Sequence, residues 1–270
     1  NVGKAHLEGF GSFEGVIKTK GELYDFLRKK DAITFIHHDN AYLMNISQGL
    51  NLISYGTEDD LYVNGQITDN SPYLAFEWKA GKDGERHQVR TQLIGEYNFP
   101  NALAAITIGR FFGVEAKKID EALAEYTPQN NRSQLKKTED NTLIIDAYNA
   151  NPTSMMAALQ NFRNMTVPHK MLILGDMREL GADSPAEHQK IGYHIKESDF
   201  EKVWLVGEQF AASEHSFKTY ANVQEVIKDL QEDKPKGYTI LIKGSNGIKL
   251  SSTVESLLSQ NGKLQMINGE

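Results

Sequence analysis

Two loops in the second half of the chain gather the residue types from which ligand chemistry is built. Leu143-Ile-Ile-Asp146 reads as an apolar strand that runs into Ala147-Tyr148-Asn149-Ala150-Asn151, and at Pro152 the chain turns into a helix carrying Met155, Met156, Ala158 and Leu159. Ile173-Leu-Gly175-Asp176-Met-Arg-Glu179-Leu-Gly181 repeats the arrangement, a short apolar strand ending in glycine and acid. In open α/β sheets ligands sit where strands end and helices begin, so two such neighbouring strands would present carboxylates and amides at one sheet edge. Taken singly, each loop is best accounted for as an ordinary βα turn, in which Asp and Asn cap a helix and Gly relieves strain.

Periodicity predicts the elements that must hold these loops. Ser12 can cap a helix to about Arg28, with Phe13, Val16, Ile17, Leu23 and Leu27 on one stripe. Lys20 falls on that stripe, where desolvation would disfavour its charge; a packed stem with the amine snorkelling to solvent is the alternative. Alternation over Leu61–Ile67 and Tyr73–Trp78, a turn at Gly81–Gly84 and a return strand to Leu93 predict a β-rich insert. Helices over Pro100–Phe112 and Lys117–Tyr126 follow, separated at Gly113. Small polar residues at Pro128–Asn131 mark a linker, giving domains at 1–128 and 129–270. Beyond it, strands near Leu143, Met171, Val203 and Thr239 alternate with helices near Ser154, Ser184, Val223 and Ser251, the signature of an α/β fold with a mainly parallel sheet. Ser184-Pro-Ala-Glu187 predicts a capping box for the second of those helices.

A chain of 270 residues, 40% hydrophobic, can bury a sizeable core. Without cysteine there is no disulfide framework and no thiolate metal site. A net charge of -7 argues against a general binder of nucleic acid or anionic membrane. No apolar run approaches the roughly 20 residues that span a bilayer, which makes the cytoplasm the expected compartment. Oligomeric state is not legible.

Other chemistry-bearing residues are scattered. Asn98 and Asn101 stand three apart at a helix start, where amides and backbone N–H groups can meet an anion or simply cap. Lys243-Gly-Ser245 ends an apolar strand and opens a helix, which suits an anion site and an ordinary turn equally. His37-His38-Asp39 looks like a metal cluster, but adjacent strand residues point to opposite faces, so it is set aside. No general base or covalent nucleophile is evident.

The motifs Asp-x-Tyr-Asn-Ala-Asn-Pro at 146–152 and Gly-Asp-Met-x-Glu-Leu-Gly at 175–181 together resemble the C-terminal domain of Mur ligases, of the MurF type. The likeness extends through Gly95-Glu-Tyr-Asn98-Phe-Pro-Asn101 to Asn1-Val-Gly-Lys-Ala-His6, nearly the whole chain. It implies part of a central ATP-binding domain followed by a Rossmann-like C-terminal domain. The implied reaction joins UDP-N-acetylmuramoyl-tripeptide to D-alanyl-D-alanine through an acyl phosphate, with ATP and Mg2+. Carried over by position, Lys20 is a carbamate that helps hold Mg2+ beside His6; Asn98, Asn101, Arg132 and Asp146 meet the nucleotide. Tyr148, Asn149, Asn151 and Ser154 line the acceptor side, and Asp176 and Glu179 pair with the dipeptide ammonium. Tyr97 stands where the family usually has histidine, and Glu8 adds a carboxylate of unassigned role.

One departure stands out. The Gly-x-x-Gly-Lys-[Ser/Thr] phosphate loop that precedes the Asn-x-x-x-Ala-His stretch in the family occurs nowhere in these residues. The expectation is therefore a C-terminal fragment of the ligase, lacking the N-terminal domain as well. A non-catalytic binding module derived from such an enzyme is the alternative, and other Mur ligases and folylpolyglutamate synthase share the architecture. On this reading the isolated chain, incubated with ATP and Mg2+, releases no ADP; ADP formation in a coupled assay would overturn it.

Overall fold

A computed structural model describes residues 2–4, 6–129 and 131–258. The chain forms two compact units: Asn1–Pro128 with Met156–Met165 and Glu179–Ala182, and the remainder.

The first unit opens with a short helix α1 (Leu7–Phe10) and the long α2 (Phe13–Lys29). Ser12 caps α2, its Oγ accepting from Gly15 N at 3.0 Å, as its sequence predicts. A five-stranded sheet follows in the order β1 (Ile33–His37), β2 (Asn51–Gly56), β3 (Val63–Asp69), β4 (Ala75–Ala80), β5 (His87–Arg90), with α3 (Ala41–Ile46) between the first two strands. β1, β2 and β3 run parallel, and β4 and β5 join antiparallel, the latter pair across the turn expected at Gly81–Gly84. Helices α4 (Phe99–Phe111) and α5 (Ala116–Glu125) complete the unit. Its core joins Val63, Phe76, Trp78 and Val89 of the sheet to Phe99, Leu103, Ile106 and Ile119 of the helices. Asp120 ties α5 to the hairpin, accepting from Trp78 Nε1 at 2.7 Å and meeting His87 Nδ1 at 3.0 Å, with the imidazole stacked on the indole.

The apolar stripe of α2 is less buried than its pattern implies. Val16 is its one buried residue, while Leu23 and Phe26 are 58% and 56% exposed. Lys20 is exposed as well, because the C-terminal half of the helix has little packed over it. The expected desolvation of its ammonium is therefore corrected: the stripe continues in sequence past the point where its burial stops.

The second unit is a six-stranded sheet in the order β10-β9-β8-β11-β7-β6. These strands are β6 (Gln134–Lys137), β7 (Thr142–Asp146), β8 (Lys170–Gly175), β9 (Lys202–Val206), β10 (Lys218–Tyr220) and β11 (Thr239–Lys243). All pairings are parallel except that of the edge strand β6 with β7. Connections along the chain are α6 (Pro152–Asn164), whose residues from Met156 on belong to the first unit, α7 (Ser184–Lys196), α8 (Glu208–Ala211) and α9 (Val223–Glu232), and α10 (Thr253–Leu257) follows β11. Every residue of β11 is buried, as a central parallel strand covered on both faces requires. Leu143, Ile145, Met171, Ile173, Ile240 and Ile242 pack with Val226, Leu230, Val254 and Leu257 of α9 and α10, each worth roughly 1.5–3 kcal/mol of transfer free energy.

The capping box predicted for α7 does not form. Asp183 occupies the cap position without a side-chain hydrogen bond, and Ser184 Oγ instead donates to Gln209 Oε1 at 3.1 Å. The end of β8 is locked in a way the sequence did not announce. Asp176 accepts from the backbone N–H groups of Gln209 and Phe210, both at 3.0 Å, and so caps α8. Gly207 passes this carboxylate at φ 121°, where a Cβ would lie 2.2 Å from Asp176 Oδ2, so only glycine fits. His188 is fully buried; its Nδ1–H donates to Ser184 O at 2.7 Å and its Nε2 accepts from Met177 N at 3.0 Å. The neutral ring thus joins α7 to the loop after β8.

Burial holds the His188 imidazole below its ordinary value. A base whose folded pKa is depressed contributes stability that is fully present above the unfolded value near 6.5 and is lost as pH falls from there through the folded value. The melting temperature should accordingly fall between pH 7.5 and 5.5, and His188→Gln should lower it at pH 7.5 while flattening that acid dependence; an undiminished slope in the variant refutes the assignment.

Candidate active-site loops

Three parallel strands of the second unit end side by side, and their exit loops are stitched together. The register places Lys243 of β11 opposite Asp146 of β7. Their side chains meet at 2.6 Å between Nζ and Oδ2, with Lys243 1% and Asp146 8% exposed. A pair this buried adds little net stability, but removing one partner costs about 3–5 kcal/mol because the other charge is stranded. Lys243 Nζ also donates to Asn149 O at 3.2 Å, fixing the loop that carries Tyr148. Ser245 Oγ accepts from Arg178 N at 2.8 Å and donates to Ala150 O at 3.3 Å, so the β11 exit holds both other loops. A Cβ on Gly244 would lie 3.0 Å from Gly175 Cα, which explains glycine where β11 and β8 end together.

This geometry sorts the residues singled out from the sequence. The ammonium of Lys243 is committed to Asp146, so the anion site suggested at Lys243–Ser245 is not available to it. Asn151 and Ser154 cap α6 reciprocally, Asn151 Oδ1 accepting from Ser154 N at 2.9 Å and Ser154 Oγ from Asn151 N at 3.1 Å. Asn149 Oδ1 accepts from the neighbouring Ala150 N at 2.9 Å. Asp176 is spent on α8 and is not offered to a ligand amine. Tyr148 is 46% exposed, and the guanidinium carbon of exposed Arg132 lies 3.8 Å from its ring centroid.

In the first unit, which includes the turn at Glu179–Ala182, His6 Nδ1 lies 2.5 Å from Glu179 Oε2, and these residues line a cleft of about 590 Å³ with Glu8, Gly9 and Phe10. A histidine oriented through one nitrogen by a carboxylate keeps the other for a ligand. Asn98 Nδ2 donates to Ile94 O at 2.9 Å and does not cap α4, whereas Asn101 one turn on is exposed. Tyr97 packs over Gly95, whose φ of 94° and lack of a Cβ admit the ring. His37 and His38 serve different carboxylates, Asp39 at 3.5 Å and Glu58 at 3.8 Å, and no group of three metal-ligating side chains occurs among the described residues.

His188 carries no signal in the sequence, and Lys243 and Ser245 look there like an ordinary turn or an anion site. Lys243 carried a signal in retrospect, a cation ending one buried apolar strand as Asp146 ends another. Among the described residues no helix is long and apolar enough to cross a membrane.

Comparison with known proteins agrees with this architecture. Residues 1–109 match the Mur ligase middle domain and residues 131–246 the Mur ligase glutamate ligase domain. The UDP-N-acetylmuramoyl-tripeptide--D-alanyl-D-alanine ligase of Bacillus subtilis is 30% identical over 96% of this chain, which covers 58% of that protein. The enzyme of the same name from Escherichia coli is 30% identical over 97%, with 59% of its length covered. MurF from Acinetobacter baumannii superposes with a TM-score of 0.82 at 25% identity, over 95% of this chain and 58% of that one. The MurF ligase of Thermotoga maritima, solved with ADP, shares the fold with a TM-score of 0.80 at 21% identity, over 95% of this chain and 60% of its own. The chain thus spans somewhat under two thirds of the relatives it matches. With a middle-domain segment and a glutamate ligase domain in the family's order, the chain belongs to the Mur ligase family.

Proposed function

We propose that this chain is the part of a MurF-type ligase that carries the nucleotide-facing and acceptor-facing loops, and that the whole protein joins UDP-N-acetylmuramoyl-tripeptide to D-alanyl-D-alanine in peptidoglycan precursor synthesis. What carries the reading is the Asp146–Asn151 loop, pinned by Lys243 at the end of a parallel sheet, in a chain aligned along 96% of its length with a ligase of that name. The work belongs in the bacterial cytoplasm, where ATP and UDP-linked precursors are found.

In the proposed reaction the tripeptide carboxylate attacks the γ-phosphorus of ATP, ADP leaves, and the dipeptide amine displaces phosphate from the acyl carbon as it gives up a proton. Such chemistry asks the protein for positioning and charge stabilisation rather than for a nucleophile. Arg132 offers a planar fork to phosphate oxygens. Asp146 is held through Oδ2, leaving Oδ1 as the acceptor for a ribose hydroxyl. In the first unit, Asn98 and Asn101 offer amides to a nucleotide. Tyr148 and Asn149 stand on the acceptor side, where Asn151 and Ser154 shape the loop and Asp176 holds its neighbour rather than touching substrate. Lys20 is exposed and has no carboxylate partner among the described residues, as addition of CO2 to its amine requires, and His6, held through Nδ1 by Glu179, keeps its second nitrogen for a ligand. Carbamoylated, Lys20 would offer the hard oxygen that Mg2+ prefers, in a site shared with substrate oxygens. When bound, the ion neutralises charge on the phosphates.

The protein from the complete reading frame should release ADP only when both UDP-N-acetylmuramoyl-tripeptide and D-alanyl-D-alanine are present. Release driven by a single amino acid, or none at all, overturns the proposal, the latter in favour of a binding module. In that protein Lys20→Ala should abolish turnover, with partial recovery on adding short carboxylic acids; full activity of the variant would exclude the carbamate role.

A further inference from the structure

We infer that Tyr148 is a positioning residue for Arg132, an aromatic rest that orients the guanidinium without neutralising it. The inference rests on the reading of Arg132 as a phosphate ligand. The guanidinium carbon sits 3.8 Å from the ring centroid, close for a cation–π contact, and no carboxylate pairs with Arg132 among the described residues. The choice of partner matters. A carboxylate would orient the same side chain but would occupy its N–H fork and cancel its charge, leaving nothing for an incoming phosphate. A ring engages only the face of the guanidinium and leaves its edge donors directed outward.

The ring can serve as a rest because its own backbone is held. Lys243 Nζ binds Asn149 O on one side of Tyr148 and Asp146 on the other, and Ser245 Oγ binds Ala150 O. Tyr148 is itself 46% exposed, so the stack is not a by-product of core packing. An arginine has many rotamers, and one held before the anion arrives loses less freedom on binding. The ring face that meets Arg132 is thereby withdrawn from any substrate, which changes the role implied for Tyr148 by resemblance.

The test uses the intact chain, labelled with 15N, and inorganic tripolyphosphate as the probe. The Arg132 Nε–Hε resonance, assigned by its absence in Arg132→Ala, should lie upfield through the ring current, move to the exposed-arginine position in Tyr148→Leu, and return in Tyr148→Phe. Tripolyphosphate should bind about two- to five-fold more weakly to Tyr148→Leu than to the parent, the worth of an exposed cation–π contact, while Tyr148→Phe binds as the parent does. If Tyr148→Leu leaves the resonance or the affinity unchanged while Arg132→Ala weakens binding, the positioning role is wrong. If Arg132→Ala binds as tightly as the parent, or the parent does not bind, the phosphate reading of Arg132 fails and the positioning inference with it.

Discussion

A cation and an anion buried side by side govern the second unit. Lys243 and Asp146 lie at paired positions of adjacent parallel strands, each at the end of an apolar run, and neither is tolerable there without the other. Hydrophobic burial assembles the sheet, but it is indifferent to how the exit loops run. The ion pair, extended through Lys243 to Asn149 O, sets the direction of the first loop, and Ser245 ties that loop to the second.

The same logic holds at the end of β8, with hydrogen bonds in place of a salt bridge. Asp176 caps a four-residue helix that would be marginal alone, and His188, neutral and enclosed, carries the loop to α7. Motif residues that look like ligand contacts in a sequence are here partly architectural. Asn151 with Ser154 and Asp176 are of this kind, their side-chain oxygens accepting from backbone N–H groups.

Much of the fold was legible because burial imposes period. Leu143–Ile145, Met171–Leu174 and Ile240–Ile242 could be read as strands and the stretches around them as helices, and all formed as such. β2, β6 and β10 escaped notice: Asn51–Gly56 mixes polar and apolar residues without strict alternation, being only partly buried, and β6 and β10 have four and three residues. The Lys20 stripe shows the opposite failure, since a helix can carry the pattern of burial over more length than is covered. What sequence cannot display is the order of strands. β11 inserts between β8 and β7, so Lys243 meets an acid 97 positions away, and until that order is known each charge reads as an ordinary loop residue.

β6 is the one antiparallel strand of its sheet, and its pairing of Gln134 with Ile145 begins two residues after Arg132. The stack of Arg132 on Tyr148 is therefore measured out along two chains from a common ladder, one counted back from Gln134 and one forward from Ile145. A strand slipped by one residue turns every side chain to the other face. The segment before β6 is irregular, with Asn131 and Arg132 exposed and Ser133 buried, and a single insertion or deletion between Arg132 and Gln134 would move the guanidinium off its ring while the ladder of β6 with β7 kept its register.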